Sequence, residues 1–272
     1  MRAARSILVT GASSGIGRAT CLEYARRGAS VLAMARTEEK LAGLVREIEK
    51  SGGRAVASAG DVGKREDVRA AVELANKNFG GLDTAVANAG FGLYAAVDRI
   101  TEEDFDAITR TNVKGVLWTL QESLPLLRAS RGRFAVVSSI LGRASVPWSA
   151  LYCMTKHALT ALADSARLEL EKDGVSVTLV GPGLTATDFQ RNAPSRLGGV
   201  PSPSNVRGWT SEKVALRLIA AVERRRREVY MTFPGRALIW ARTRFPALAD
   251  WGVRKWMRKF EERQKRGGNA AP

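Results

Sequence analysis

The sequence predicts an α/β fold: a doubly wound parallel sheet with helices on both faces, built as a single domain and followed by a C-terminal helical extension. Three observations carry this prediction. Short apolar runs alternate with longer segments of helical period, and a glycine-rich turn follows the first apolar run. The composition, 45% hydrophobic with 26 glycines in 272 residues, fits a globular chain long enough to bury a full core.

Taken in order, "SILVT" (6–10), "SVLAMA" (30–35), "RAVASA" (54–59), "LDTAVAN" (82–88), "RFAVVSS" (133–139) and "VSVTLVG" (175–181) read as strands. They are nearly continuous apolar runs because a strand covered on both faces has no solvent side to alternate with. Helical stretches lie between them, at 38–50, 65–79, 103–129 and 151–173. Strands alternating with helices require crossover connections, hence a parallel sheet. Residues 189–209 hold three prolines and three glycines and read as a long loop of the kind that forms lids or is disordered.

Two cysteines, Cys21 and Cys153, with no CxxC pair indicate neither a disulfide framework nor zinc, and fit a reducing, cytoplasmic setting. The N-terminus lacks a secretory core and no run of 18 apolar residues occurs, so no membrane span is expected. The net charge is +16, and from Glu223 onward 14 Lys/Arg stand against 5 Asp/Glu. Such a tail attracts nucleic acid, anionic lipid or acidic protein; no nucleic-acid-binding motif accompanies it, so nucleic acid is not expected.

Chemistry is suggested first by "TGASSGIG" (10–17), placed where the first strand ends and the first helix begins. Gly11, Gly15 and Gly17 permit a tight turn, close approach of backbone to a phosphate and close helix-on-strand packing. The helix N-terminus offers free N–H groups to a pyrophosphate. Further along, "YCMTK" sets Tyr152 and Lys156 four residues apart, on one helical face. His157 and Cys153, beside them, read as packing residues. The acids Glu102, Glu103, Asp104 and Asp106 read as a helix N-terminal cluster rather than a metal site.

The Gly-x3-Gly-x-Gly spacing resembles that of the classical short-chain dehydrogenase/reductase family, and that family's other motifs follow in order. "NAG" (88–90) comes after the fourth strand, Asn112 in the next helix, Ser139 at the end of the fifth strand, then Tyr152, Lys156 and "PGLTAT" (182–187). The resemblance covers about residues 5–232. It implies a Rossmann-like dinucleotide-binding and catalytic domain over residues 1–232, with 233–272 as a basic, Trp-rich amphipathic extension. Tyr152 would be general acid or base, its pKa of about 10 lowered by the Lys156 ammonium. Lys156 would also hold the nicotinamide ribose, Ser139 the substrate oxygen, and Asn112 a water in a proton relay. Ser13, Ser14 and Ile16 of the glycine turn, Asp61 and Val62, Asn88, Ala89 and Gly90, and Pro182, Gly183, Thr185 and Thr187 are the remaining implied cofactor residues.

Cofactor choice rests on the end of the second strand. An acid about 20 residues past the glycine turn binds the ribose hydroxyls of NAD. Here Ala35 stands there and Arg36 follows, which suits a 2′-phosphate, so NADP(H) is expected, with NAD(H) as the alternative. Ser14 stands where many NADP-dependent relatives carry a second basic residue.

If the layout of that family holds, Leu141, Val146, Trp148 and Phe189 join Ser139 and Tyr152 around the substrate. Their apolar character favours an apolar ketone, aldehyde or secondary alcohol. The alternatives are a 3-oxoacyl-carrier-protein reductase and, in a different class, a non-catalytic nucleotide-binding scaffold with a membrane-surface tail. The family's usual strand and glycine-rich tetramer segment are replaced here by a basic tail, which favours a homodimer. Within it Val253, Trp256, Met257 and Phe260 fall at i, i+3, i+4 and i+7 with Arg254, Lys255, Arg258 and Lys259 between. That pattern suits packing on the protein's own body or a second subunit, peripheral contact with a membrane, or an acidic partner.

Overall fold

A computed structural model describes residues 5–187, 189, 193–197 and 208–267. The chain forms one seven-stranded, wholly parallel sheet of order β3-β2-β1-β4-β5-β6-β7. Its strands are β1 (Ser6–Thr10), β2 (Ser30–Ala35), β3 (Arg54–Ala59), β4 (Thr84–Ala87), β5 (Arg133–Val137), β6 (Ser176–Gly181) and β7 (Glu228–Tyr230). The helices between them are α1 (Gly15–Arg26), α2 (Glu38–Lys50), α3 (Arg65–Phe79), α4 (Glu102–Thr109), α5 (Gly115–Ser130), α6 (Ala150–Leu170) and α7 (Ser211–Glu223). Two more, α8 (Phe233–Arg244) and α9 (Pro246–Gly267), follow the last strand.

Period-two alternation along the strands divides the core. On one face Ile7, Val9, Val31 and Ala33 pack with Cys21, Leu41, Leu44 and Leu218, from α1, α2 and α7. On the other, Leu8, Leu32, Phe134 and Val136 meet Val68, Val72, Leu120 and Leu159, from α3, α5 and α6. A fully buried Phe134 of this kind costs about 3–5 kcal/mol when cut to alanine.

Two elements differ from the sequence expectation. The helix expected over 103–129 is broken: α4 ends at Thr109, a π-helical segment spans Arg110–Lys114, and α5 begins at Gly115. The extra residue of a π turn re-aims the side chains on it, and Asn112 is one of them. The run "RRRREVYMTF" does contain a terminal strand, since β7 pairs with β6 through Leu179↔Glu228, Val180↔Val229 and Gly181↔Tyr230. The departure from the expected family ending comes after it, where α8 and α9 replace a glycine-rich segment. Residues 188, 190–192 and 198–207 of the expected long loop lie outside the described residues, as do the side chains of Trp256 and Phe260. Among the described residues no helix is long and apolar enough to cross a membrane.

On the face that carries α1 and α7, arginines and acids form a linked set of ion pairs. Glu23 on α1, 13% exposed, accepts from Arg26 Nε at 2.7 Å and Arg27 Nε at 2.7 Å. Arg27 reaches on to Glu223 of α7 at 3.1 Å, which also meets Arg5 at 3.4 Å. The hydrogen bond from Arg26, with those of its neighbour Arg27, holds the Glu23 carboxyl at about 2 against an ordinary 4.5. A carboxylate with a depressed folded pKa stabilises above its unfolded value and loses that contribution as pH falls through the folded one. Glu23→Gln is therefore expected to lower the melting temperature at neutral pH, with the difference from wild type shrinking between pH 4.5 and about 2. Melting curves across that range check it; a difference independent of pH would show that the ion pairs contribute nothing.

Candidate functional site

The strand order reverses between β2 and β4 on either side of β1, and a crevice opens there at the carboxyl ends of the strands. The turn after β1 is drawn against the loop after β4. Asn88 Nδ2 donates to the carbonyls of Thr10 at 3.0 Å and Gly11 at 3.3 Å. Thr10 Oγ1 accepts from the backbone N–H groups of Asn88 and Ala89, both at 3.1 Å. Gly11 has φ +66°, and a Cβ on it would lie 2.8 Å from Ala89 Cα. A Cβ on Gly17 would lie 2.2 Å from the Gly11 carbonyl oxygen. These contacts leave no room for any side chain and press the start of α1 onto the strand end.

Ser14 is the N-cap of α1 and its side chain caps nothing, so the first-turn N–H groups face the crevice. This fits a dinucleotide: a backbone cradle with free N–H donors at a helix N-terminus. Ser13, Ser14, Gly15, Ile16, Ala35, Arg36, Asp61, Val62, Asn88, Ala89 and Gly90 all line one continuous cleft of about 1190 Å³. Gly17 lies behind that wall. Asp61 accepts from the Gly63 N–H at 2.8 Å, and Arg36 is exposed at the rim. Pro182, Gly183, Thr185 and Thr187, at the end of β6, line the same cleft.

Tyr152, Lys156 and Ser139 meet in the middle. The Ser139 side chain is hydrogen-bonded to the Tyr152 hydroxyl, and Ser139 Oγ also accepts from the Leu141 N–H at 3.1 Å. Lys156 Nζ donates to the Val137 carbonyl at 3.0 Å and lies 5.5 Å from the centre of the Tyr152 ring. Burial draws the Lys156 ammonium down to about 8. Burial also pushes the Tyr152 phenol up; its bond from Ser139 opposes this, and nearby Cys153 and Tyr94 add to it. The expected lowering of the tyrosine by its lysine is thus not what this geometry gives. Desolvation outweighs the hydrogen bond, and the ammonium is directed at a backbone carbonyl.

Asn112, expected as a water anchor, is fully buried behind the cleft. Its Oδ1 accepts from the Phe91 N–H at 3.0 Å, and its Nδ2 donates to the Phe91 carbonyl at 2.9 Å and to Thr155 Oγ1 at 3.2 Å. The amide therefore clamps the loop after β4 to α6. Cys153 is buried, which raises its thiol and fits the expected packing role, whereas His157, expected to pack, is exposed and its Nδ1 pairs with the Cys153 carbonyl at 2.8 Å. Asp104 forms a capping box with Thr101 and a two-point bridge to Arg196. Among the described residues no group of three or more potential metal ligands is brought together.

The far end of the cleft is apolar. Leu141, Val146, Trp148 and Phe189 line it, with the Phe189 ring 5.8 Å from that of Tyr152. Trp148 is held at φ 62°, a left-handed conformation rare for an aromatic residue, while its carbonyl accepts from the Ala95 N–H at 2.9 Å. Sequence reasoning missed the rest of this wall. Leu238 and Ala241 of α8, and Ala249, Gly252 and Val253 of α9, also line the cavity. Small apolar residues at i, i+3 and i+4 on α9 were the available signal.

Comparison with known proteins agrees with this layout. The family model described as short chain dehydrogenase matches residues 5–197. The chain is 34% identical over 255 residues to an oxidoreductase of Bacillus subtilis, covering 92% of this chain and 72% of that protein. It is 35% identical over 191 residues to a 3-oxoacyl-[acyl-carrier-protein] reductase of Staphylococcus aureus, covering 70% and 78% respectively. A solved 3-ketoacyl-ACP reductase from Sinorhizobium meliloti superposes with a TM-score of 0.76 at 34% identity over 83% of this chain and 96% of that one. An alcohol dehydrogenase from Thermococcus sibiricus, complexed with 5-hydroxy-NADP, gives 0.75 at 26% identity over 84% and 95%. A short-chain dehydrogenase/reductase from Burkholderia phymatum, in complex with NAD, shares the fold with a TM-score of 0.83 at 21% identity over 90% and 95%.

The cradle makes a direct prediction. Gly17→Val is expected to abolish dinucleotide binding, measured by quenching of tryptophan fluorescence on titration with NADPH, because its side chain must displace the Gly11 carbonyl. Binding within a few-fold of wild type would show that the turn does not hold the cofactor.

Proposed function

The chain belongs to the short-chain dehydrogenase/reductase family and is an NAD(P)-dependent oxidoreductase; from that premise we propose that it interconverts an apolar ketone or aldehyde and its alcohol with NADP(H), Tyr152 being the proton donor in reduction. The observation that carries this reading is the position of the Tyr152–Ser139 pair, at the junction between the backbone-lined cradle and the apolar end of one cleft. Bound there, a nicotinamide dinucleotide supplies hydride to the carbonyl carbon.

Burial keeps the Tyr152 phenol protonated through the neutral range, which suits a donor to a carbonyl oxygen gaining negative charge. Ser139 supplies the second donor to that oxygen and orients the phenol. Lys156 remains an ammonium below about 8 and holds the ribose hydroxyls while favouring charge on the tyrosine oxygen once its proton has left. Asn112 is a positioning residue, fixing the loop after β4 against the helix that carries Tyr152.

Tyr152→Phe is expected to lower kcat for an apolar ketone by on the order of 10²–10⁴ while NADPH still binds. Wild-type reduction should hold level through neutral pH and decline as pH rises through about 8, where Lys156 gives up its proton. Full activity in the phenylalanine variant would remove Tyr152 from the mechanism.

NADP(H) is supported by neutral Ala35 and by Arg36 at the rim, since among the described residues the charged side chains lining the cleft are Arg36, Asp61 and Lys156. A planar guanidinium suits a 2′-phosphate, and no acid occupies the Ala35 position to repel it. Ala35→Asp with Arg36→Ser is expected to shift the ratio of kcat/KM toward NAD(H) by on the order of tenfold or more. An unchanged ratio would show that neither position reads the ribose. A second reading, reduction of a 3-oxoacyl-carrier-protein, is favoured by the Staphylococcus aureus and Sinorhizobium meliloti relatives. Parallel assays on apolar ketones and 3-oxoacyl thioesters separate the two.

A further inference from the structure

The α8–α9 hairpin has two faces, and only one is accounted for by the cavity. On the other, Phe233 is 80% exposed, Trp240 60%, Leu248 62% and Trp251 52%. Elsewhere exposed apolar side chains are scattered singly, as on any soluble protein. Here they are interleaved with cations along each helix. Phe233, Arg236, Trp240 and Arg244 fall at i, i+3, i+7 and i+11 of one stripe of α8. Leu248, Trp251, Lys255 and Arg258 fall at i, i+3, i+7 and i+10 of one stripe of α9. Lys255 Nζ sits 5.2 Å over the Trp251 ring, and the Trp240 and Phe245 rings meet edge-on at 5.5 Å. The one acid between residues 233 and 258, Asp250, is bound by Arg242 of the facing helix.

Aromatic rings and long cationic side chains sharing a stripe match the bilayer interface, where indoles sit at headgroup depth and Lys or Arg reach lipid phosphates. Juxtaposing this face with a second copy of itself would oppose two sets of like charges. An anionic lipid surface supplies both the negative charge and the apolar phase. We propose that the outer face of the α8–α9 hairpin docks on an anionic membrane surface, laying the two helices flat on it. Because the inner face of the same helices walls the cavity, docking sets that wall beside the lipid phase, where apolar carbonyl compounds concentrate. This last consequence rests on the function proposed above; the docking does not.

The test is sedimentation of the full chain with phosphatidylcholine vesicles, with and without phosphatidylglycerol. The protein should pellet with the anionic vesicles, less so at high salt, and little with the neutral ones. The variant Phe233→Ser/Trp240→Ser/Trp251→Ser should lose at least on the order of tenfold in vesicle affinity, and Arg254→Glu/Lys255→Glu should weaken it separately. None of these residues lines the cavity, so melting temperature and NADPH affinity should stay at wild-type values. Failure to pellet, equal pelleting with neutral vesicles, or undiminished pelleting of the triple variant would overturn the proposal. So would a change from dimer to monomer in that variant without any vesicle binding by the wild type. Pelleting is read without turnover, so an enzyme that reduced no carbonyl would still show it.

Discussion

Everything in the cleft depends on how closely the backbone after β1 approaches the backbone after β4. With Gly17 packed on the Gly11 carbonyl and Asn88 bonded to the same turn, α1 starts as near the strand end as two backbones allow. That closeness aims the free N–H groups of α1 into the crevice rather than at solvent. It also fixes "NAG", whose glycine leaves space beside Asn112 and Lys156: a Cβ on Gly90 would lie 3.0 Å from Asn112 Oδ1 and 3.6 Å from Lys156 Nζ. The glycine turn and the middle of the site are thus one packing problem.

The same packing sets the electrostatics. Lys156 is buried with the Val137 carbonyl as its partner, so its charge is only partly compensated and its proton is held weakly. Tyr152 is desolvated in the same place and holds its proton more strongly. Two groups that titrate in the same order in water, about 10 and 10.4, are driven apart by one cause acting on opposite charge types. The proton therefore rests on the oxygen beside the apolar chamber and is loosened on the nitrogen beside the cradle, an asymmetry suited to donation toward a carbonyl.

The sheet was legible because its strands are buried on both faces, which writes them as largely apolar runs, and because Gly11, Gly15 and Gly17 mark the turn that follows the first of them. Positions such as Ser139, Tyr152 and Lys156 could be named from motif order, and the structure brings them to one cleft. Charge states could not be read that way. Opposite charges at helical spacing suggested a lowered tyrosine, whereas the outcome depends on how much water each atom retains, which spacing does not encode. The π segment at Asn112 was hidden for a similar reason: helical period continues through it, and the extra residue is registered only against Phe91 and Thr155. The cavity wall from α8 and α9 was hidden because Ala249 and Gly252 carry almost no hydrophobic signal.

Those small residues are what let the hairpin serve two purposes. Side chains as large as those on its outer stripes, turned inward, would fill the chamber. With alanine and glycine there, the helices approach without closing it: a Cβ on Gly252 would meet nothing within 4 Å. The hairpin is anchored at its base, where Gly235 packs on Ile140 beside Ser139, and along its length, where Arg242 donates to the Ser145 carbonyl at 3.0 Å. Both anchors fall on the segment between Ser139 and Tyr152. The residues that shape the apolar chamber and those that carry the proposed proton donor are therefore held by the same short stretch of chain.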